Sequence, residues 1–208
     1  MHSIMATLVM VLLWPPIVLA QEASGGEETE AWEFSASVYF YQVVDDRNYA
    51  QPTVTADRGW LHLSARYNYE DRDTGSLWFG YNMSGGETLS WELTPILGGV
   101  FGTTDGVAPG YKGTLGWRSL EFYSEGEYVI TSAAADRFFY NWSELTVSPQ
   151  EWWRIGLVTQ RTRAYETERE IQRGLLMGFS YKSLTSTIHV FNPDDTHPVV
   201  VFSASLAF

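Results

Sequence analysis

The sequence predicts an all-β protein folded as a single closed antiparallel barrel of twelve strands, with ten strands as the alternative count. Apolar and polar residues alternate in segment after segment, whereas the helical period is nearly absent, and this pattern indicates strands. Aromatic residues make up 15% of the chain, which contains 9 Trp and 12 Tyr. Gly, Asp, Asn, Pro or Ser separates the alternating segments, so we expect turns between them.

The N-terminus predicts a cleaved export signal. Residues 4–14 form an uncharged apolar run, and residues 18–20 place small side chains where signal peptidase needs them. The run is too short to cross a bilayer core of about 30 Å as a helix. We therefore expect residues 1–20 to be a signal peptide, 21–32 a flexible acidic leader in the periplasm and 33–208 the barrel, with a buried N-terminal helix as the alternative.

Twelve alternating segments follow the leader. Pro52 in the second segment and the short length of the eleventh are the reasons for the ten-strand alternative. The predicted strands span residues 33–42, 49–56, 59–70, 75–83, 87–100, 107–116, 119–131, 137–148, 151–164, 168–182, 184–192 and 197–208. No clear repeat is present, so a propeller or a solenoid is not expected.

The connections between the segments alternate in character. Those at 57–59, 84–87, 117–119, 148–151 and 182–184 are tight, whereas the others are longer or more acidic. With twelve strands, the tight turns lie at one end of the barrel together with both termini. Short turns at one end and longer loops at the other are typical of transmembrane β-barrels.

The two faces of the strands predict which residues line the barrel lumen and which form its exterior. The polar face mixes small side chains with Glu and Arg that can pair, which favours a crowded polar lumen over the exterior of a soluble barrel. The residues expected to line this lumen are His62, Ser64, Arg66, Asn68, Glu70, Glu121, Glu125 and Glu127. The apolar face carries large aromatics near strand ends, as membrane interfaces favour. These aromatics include Tyr67, Tyr69, Tyr81, Trp117, Tyr181 and Phe208.

Composition excludes several classes of function. The net charge of −12 disfavours a nucleic-acid partner. The chain has no cysteine, so it can form neither disulfides nor thiolate metal sites. No segment approaches about 18 consecutive apolar residues, so a membrane-spanning helix is not predicted. We expect no cofactor and no metal, because the acidic residues 194–197 are typical of an ordinary outer loop.

Both ends of the chain resemble those of bacterial outer-membrane β-barrel proteins. The N-terminus has the export signal, and the last strand places Phe202, Leu206 and Phe208 at even steps on one face. In that class a C-terminal aromatic is the signal read by the β-barrel assembly machinery. The resemblance implies this role for Phe208, and this machinery as a partner during biogenesis. Segments such as "YSEGEYV" are also similar to one family of small, mostly uncharacterised barrels, from which no activity follows.

His62 and Ser64 are the candidate catalytic pair. Two residues apart on a strand, they project to one face, where imidazole could activate the hydroxyl. Outer-membrane phospholipases and lipid A deacylases resemble this chain in having a His-x-Ser pair, but there the pair faces lipid. Here it shares a face with Arg66, so we interpret it first as part of the lumen wall, and catalysis is the alternative.

Three arginines predict a contact with lipid phosphate. Arg161, Arg163 and Arg173 follow apolar positions on adjacent strands beside an outer loop. Arginine binds phosphate through two parallel hydrogen bonds, and the outer leaflet of such bacteria is rich in lipopolysaccharide phosphates. The alternative is that a bulge turns these arginines towards lumen carboxylates.

The sequence therefore predicts a monomeric barrel of the bacterial outer membrane that is a narrow pore or a non-catalytic membrane component. Barrels of about 8 strands are filled by side chains and those of about 16 contain a channel, so twelve strands lie between these cases. The alternatives are a lipid-modifying hydrolase that uses His62 and Ser64, and a soluble periplasmic ligand-binding barrel.

Overall fold

The computed structural model describes residues 30–44, 46–133, 136–162 and 171–208. The predicted signal peptide and most of the predicted leader lie outside the described residues. The strands are β1 (Glu33–Gln42), β2 (Tyr49–Arg58), β3 (Leu61–Tyr67), β4 (Thr74–Tyr81), β5 (Met83–Gly85), β6 (Ser90–Gly102), β7 (Gly106–Trp117), β8 (Leu120–Val129), β9 (Phe138–Gln150), β10 (Trp153–Arg161), β11 (Gln172–Tyr181), β12 (Leu184–Phe191) and β13 (Val199–Ala207).

These strands form one antiparallel sheet that closes on itself. β1 pairs with β13 from Ser35–Ala207 to Gln42–Val200, and β4 and β5 both pair with β6. β4 and β5 are two parts of one barrel strand interrupted at Asn82, so the barrel has twelve strands. The predicted closed antiparallel barrel of twelve strands is confirmed.

The strand β3 is shorter than the sequence predicts. Asn68 has a φ of +57°, which ends the strand and begins the loop 68–73. The loop breaks the alternation, and Tyr69 is 7% exposed in the interior instead of facing outward. The prediction that Tyr69 belongs to an outer aromatic girdle is therefore wrong.

The barrel has two distinct ends. At the short-turn end, the connections are 59–60, 86–89, 118–119, 151–152 and 182–183, and β1 begins and β13 ends there. At the long-loop end, the connections are 43–48, 68–73, 103–105, 130–137, 162–171 and 192–198. The predicted asymmetry of the connections is present.

The exterior of the barrel is covered with large apolar side chains. Leu77, Leu97 and Leu157 are 59%, 56% and 55% exposed, although leucine is usually buried in proteins. Exposed aromatics lie near both ends, among them Tyr67, Tyr81, Trp117, Tyr181 and Phe208. In the described part of the chain, no helix combines the length and the apolar character needed to cross a membrane.

The interior differs between its two halves. Towards the long-loop end, inward side chains are buried, and aromatic rings lie there beside buried polar side chains such as Arg66 and Gln160. We call the group of Tyr41, Tyr49, Tyr69, Tyr140, Trp142 and Phe191 the aromatic plug. Towards the short-turn end, many inward side chains are hydroxylated and half-buried. We call the group of Ser35, Ser37, Thr53, Thr55, Thr185, Ser203 and Ser205 the hydroxyl cup.

Candidate functional site

The aromatic plug fills the interior at the long-loop end. The rings of Tyr41 and Tyr49 stack with centroids 4.5 Å apart, and those of Tyr69 and Tyr140 lie 4.7 Å apart. Gln160 donates a hydrogen bond of 3.0 Å to the Tyr41 hydroxyl, which joins opposite parts of the wall. Tyr41 and Tyr140 are 0% and 1% exposed, so this layer of the interior is packed like a protein core.

Arg66 is buried at the centre of a charged cluster next to the plug. Its Nη1 lies 2.9 Å from Glu127 Oε2 and 3.9 Å from Glu70 Oε1. Its guanidinium lies over the rings of Tyr69 and Trp78, at 4.2 and 4.6 Å from their centroids. The arginine is thus held by two carboxylates and by two aromatic rings.

Glu70 is a buried carboxyl group in the loop between β3 and β4. Ser76 donates a hydrogen bond of 2.6 Å to Glu70 Oε1, and Trp78 Nε1 donates one of 2.8 Å to Ser76 Oγ. Burial raises the pKa of Glu70, although nearby Arg66 lowers it. Gly98, opposite Trp78 on β6, leaves space for the indole, since a Cβ there would overlap the ring.

Glu125 and Glu121 complete the predicted acidic series on β8. Glu125 accepts hydrogen bonds from Tyr69 Oη and, at 2.7 Å, from Tyr123 Oη. Lys112 lies opposite Glu125 in the strand register but forms no ion pair with it. Glu121 is half-buried near the short-turn end.

A second charged cluster was not predicted from the sequence. Glu144 accepts hydrogen bonds of 3.0 Å from Trp142 Nε1 and from His189 Nε2, and Arg154 Nη1 lies 3.2 Å from its other oxygen. His189 is fully buried and has a Tyr39 ring stacked on it. The inward position of His189 follows from the sequence of β12, since Thr187, His189 and Phe191 are two residues apart and share one face.

His62 and Ser64 lie on the inner face of β3 and are 5% and 6% exposed. Asp57, at the end of β2, contacts His62 Nδ1 at 2.7 Å and would orient the ring. His62 Nε2 and Ser64 Oγ are both buried, and neither has a hydrogen-bond partner. The pair is therefore not joined as a nucleophile and its base require. Asp57 is not among the predicted site residues, although it lies only five residues before His62 across a tight turn.

Asn68 differs from its predicted place in the lumen wall. It stands at the start of the 68–73 loop, where its side chain donates to the Ala50 carbonyl at 2.8 Å and accepts from the Asp73 amide at 2.8 Å. Asn68 thus shapes the loop, because asparagine tolerates positive φ and replaces backbone partners there.

The loops at the long-loop end are joined by reciprocal ion pairs. Arg72 Nη1 donates to Asp46 Oδ1 at 2.9 Å, and Arg47 Nη2 lies 3.1 Å from Asp73 Oδ2. The hydrogen bonds from Arg72 lower the pKa of Asp46 to about 2. Arginines of the 43–48 and 68–73 loops therefore have aspartate partners in the opposite loop.

Of the three predicted lipid-phosphate arginines, the structure describes Arg161 and Arg173. Arg173 contacts Asp194 Oδ2 at 3.3 Å and is exposed. Arg161 is half-buried at the end of β10, and Arg163 lies outside the described residues. Asp194 thus contacts one of the three arginines that were predicted to bind lipid phosphate.

The last strand carries its predicted signal residues on the exterior. Phe202, Leu206 and Phe208 are 47%, 43% and 71% exposed. The Phe208 amide donates to the Phe34 carbonyl at 2.9 Å, the Phe34 amide donates back at 3.0 Å, and the two rings stack. The final residue is therefore part of the seam between β1 and β13.

Within the described residues, no group of three or more His, Asp or Glu side chains could hold a metal ion. No protein-family model matches the chain, and no curated protein matches it. Among solved structures, the chain is similar to the crystal structure of the Acinetobacter baumannii outer membrane protein Omp33, with 8% identity and a TM-score of 0.48 over 86% of this chain and 99% of that chain. Function is therefore inferred below from the geometry of the barrel itself.

Proposed function

We propose that this chain is a bacterial outer-membrane β-barrel protein, a non-catalytic membrane component whose interior is closed by the aromatic plug. The single observation that carries the proposal is the inverted distribution of side chains. Leucines such as Leu77 are more than half exposed outside, while Arg66, Glu70 and Glu127 are buried inside. Such an exterior would be poorly soluble in water and is suited to lipid.

Closure of the sheet supports the same proposal. In lipid, an unpaired backbone N–H or C=O group costs several kcal/mol, so a spanning sheet must have no edge. The β1–β13 seam meets this requirement and continues to Phe208. A soluble ligand-binding barrel would instead turn its apolar face inward, so the exterior argues against that alternative.

The orientation follows from the connections. Outer-membrane barrels have short periplasmic turns and longer outer loops. We therefore place the short-turn end, both strand termini and the hydroxyl cup on the periplasmic side. The plug and the charged loops lie towards the cell exterior in this orientation.

Membrane fractionation tests the proposal. We expect the mature protein in the outer-membrane fraction, with gel migration that changes on heating because a folded barrel resists detergent until heated. A protein recovered from the soluble periplasm would contradict the proposal.

Deletion of Phe208 is expected to reduce assembly more than it reduces the stability of barrels that do assemble. In the assembled barrel, Phe208 contributes only two seam hydrogen bonds and one ring contact, so its loss should lower stability only slightly. Its proposed role as a signal comes before assembly, so its loss should lower the number of barrels that form. The measurement is the heat-modifiable fraction in membranes, with Phe202→Ala as the control for a lost exterior aromatic. Normal insertion of the chain that lacks Phe208 would contradict the proposed role of this residue as an assembly signal.

A lipid hydrolase is a second candidate, favoured by the Asp57–His62 contact. Without a hydrogen bond between His62 and Ser64, the pair would have to move before reaction. We expect no lipid hydrolysis from the purified barrel. Hydrolysis that is lost in Ser64→Ala, with the barrel intact, would establish the enzyme instead.

Lipopolysaccharide is a proposed partner of Arg161, Arg163 and Arg173. A phosphate would have to compete with Asp194 for Arg173. Replacing all three arginines by Gln should lower the lipopolysaccharide that co-purifies. Unchanged co-purification would end this part of the proposal.

A further inference from the structure

We infer that three cations at the short-turn end form a collar that binds the phosphate groups of anionic phospholipids in the adjoining leaflet. The inference rests on the proposed membrane-spanning function. Each cation lies over an exposed aromatic ring near the edge of the apolar exterior. The pairs are Arg58 over Trp32, Arg118 over Trp117 and Lys182 over Tyr181, at 5.8, 5.0 and 5.5 Å from the ring centroids.

The collar cations have no carboxylate partner among the described residues. At the opposite end, Arg47, Arg72 and Arg173 each contact an aspartate, and of the described cations there Arg137 is exposed without such a contact. A cation held only by an aromatic face keeps its N–H donors available. At the edge of an apolar belt, those donors lie where lipid headgroups begin.

The turns that carry the collar are strained in a way that their function would explain. Arg118 and Lys182 both have a φ of +55° in the two-residue turns 118–119 and 182–183. Left-handed backbone is unfavourable for a residue with a side chain, and glycine is the usual first residue of a two-residue turn in which only that residue has positive φ. Keeping a basic residue at both positions indicates a use for the charge.

An apolar groove lies beside one collar cation. It has a volume of about 460 Å³ and is lined by Trp152, Phe179, Tyr181 and Leu184, all on the exterior near the short-turn end. Lys182 sits over the Tyr181 ring at this groove. The arrangement fits one phospholipid, with its phosphate on Lys182 and an acyl chain in the groove.

The chemistry favours lipids with a net negative headgroup. Arginine holds a phosphate through two hydrogen bonds, and lysine acts as a point charge. Each basic residue near an anionic membrane surface raises the affinity about 5-fold. Phosphatidylglycerol should therefore bind more tightly than phosphatidylcholine, whose headgroup has no net charge.

Native mass spectrometry of the full barrel in detergent tests the collar. Because the three cations lie on different hairpins, each contacts its own lipid, and we expect the triple variant Arg58→Gln, Arg118→Gln, Lys182→Gln to bind phosphatidylglycerol about 5-fold more weakly at each of these positions than the wild type. Arg137→Gln removes one exposed cation from the long-loop end and should leave the affinity unchanged. Equal phosphatidylglycerol affinity in the wild type and the triple variant would overturn the inference.

A second variant covers the chance that the triple variant folds poorly. Arg118→Gly and Lys182→Gly remove the charges while fitting the positive φ, so this variant should fold at least as well. It should also lose affinity for phosphatidylglycerol, and retained affinity would overturn the inference.

Two further measurements, phosphate competition and membrane insertion, distinguish failure of the collar inference from failure of the proposed function. Inorganic phosphate at millimolar concentration should not displace the lipid, and displacement would assign the collar to free phosphate instead. A folded, membrane-inserted barrel without a preference for phosphatidylglycerol would contradict the collar inference but leave the proposed function standing. Absence of the protein from membranes would remove the proposed function as well.

Discussion

Replacing Tyr140 and Phe191 together by alanine is expected to turn a barrel that blocks ions into one that conducts them. Both side chains are under 2% exposed and belong to the plug, which crosses the interior between β9 and β12. On the short-turn side, the hydroxyl cup is only half-buried. Removing two rings should therefore join the cup to the long-loop end.

Planar-bilayer conductance measures the effect, with no steady current expected from the wild type. Phe139→Ala with Ile188→Ala is the matched control, since these residues lie on the same two strands but face outward. Each buried aromatic lost costs about 3–5 kcal/mol, so heat-modifiable migration must first show that the double variant is folded. Steady conductance in the wild type, or a silent but folded double variant, would show that the plug is not the barrier.

Replacing Arg66 by methionine should lower the free energy of unfolding by about 3–5 kcal/mol, because it leaves buried carboxylates without a counter-charge. Arg66 is the cation between Glu70 and Glu127, and it is 5% exposed. Denaturant unfolding in detergent measures the change. Arg47→Met is the control, since that exposed ion pair should contribute less than about 1 kcal/mol.

Two further measurements identify the cause of this loss. Adding Glu127→Gln to Arg66→Met should restore part of the stability, because the unpaired charge is removed. Burial raises the pKa of Glu70 in the folded state, so its cost is absent below its ordinary value of 4.5, grows as the pH rises from that value to the folded pKa, and is constant above it. The deficit of Arg66→Met should thus shrink in acid, and an equal deficit at all pH values would contradict the assignment.

Strand period and turn composition were sufficient to predict the barrel. The connections at 118–119 and 182–183 are two residues long, and the alternating apolar pattern continues up to them on both sides. The predicted ends of the adjoining strands therefore agree with the observed ends to within about one residue. The interruption at Asn82 was not predicted, because its cause is a set of contacts with other strands. Asn82 bonds with Asp57 and Thr94, which only the closed barrel brings near it.

The aromatic plug was missed because aromatic residues were assigned to the membrane interfaces. An inward series such as Ser35, Ser37, Tyr39 and Tyr41 changes from hydroxyl to ring along one face of β1. The same change from hydroxyl to ring occurs on β12 between Thr185 and Phe191, so the sequence alone would have predicted it. The contacts of Arg66 with Glu127 and of His189 with Glu144 were not readable, since they join strands far apart in the chain.

The seam between β1 and β13 determines when the barrel can form. Its partners stand at opposite ends of the chain, so the entropy of ordering everything between them is lost before the seam's hydrogen bonds form. Until then, the growing sheet has two open edges that can pair with another copy. Sealing is therefore a single late event, and the chain has to be kept apart from its copies until β13 pairs with β1.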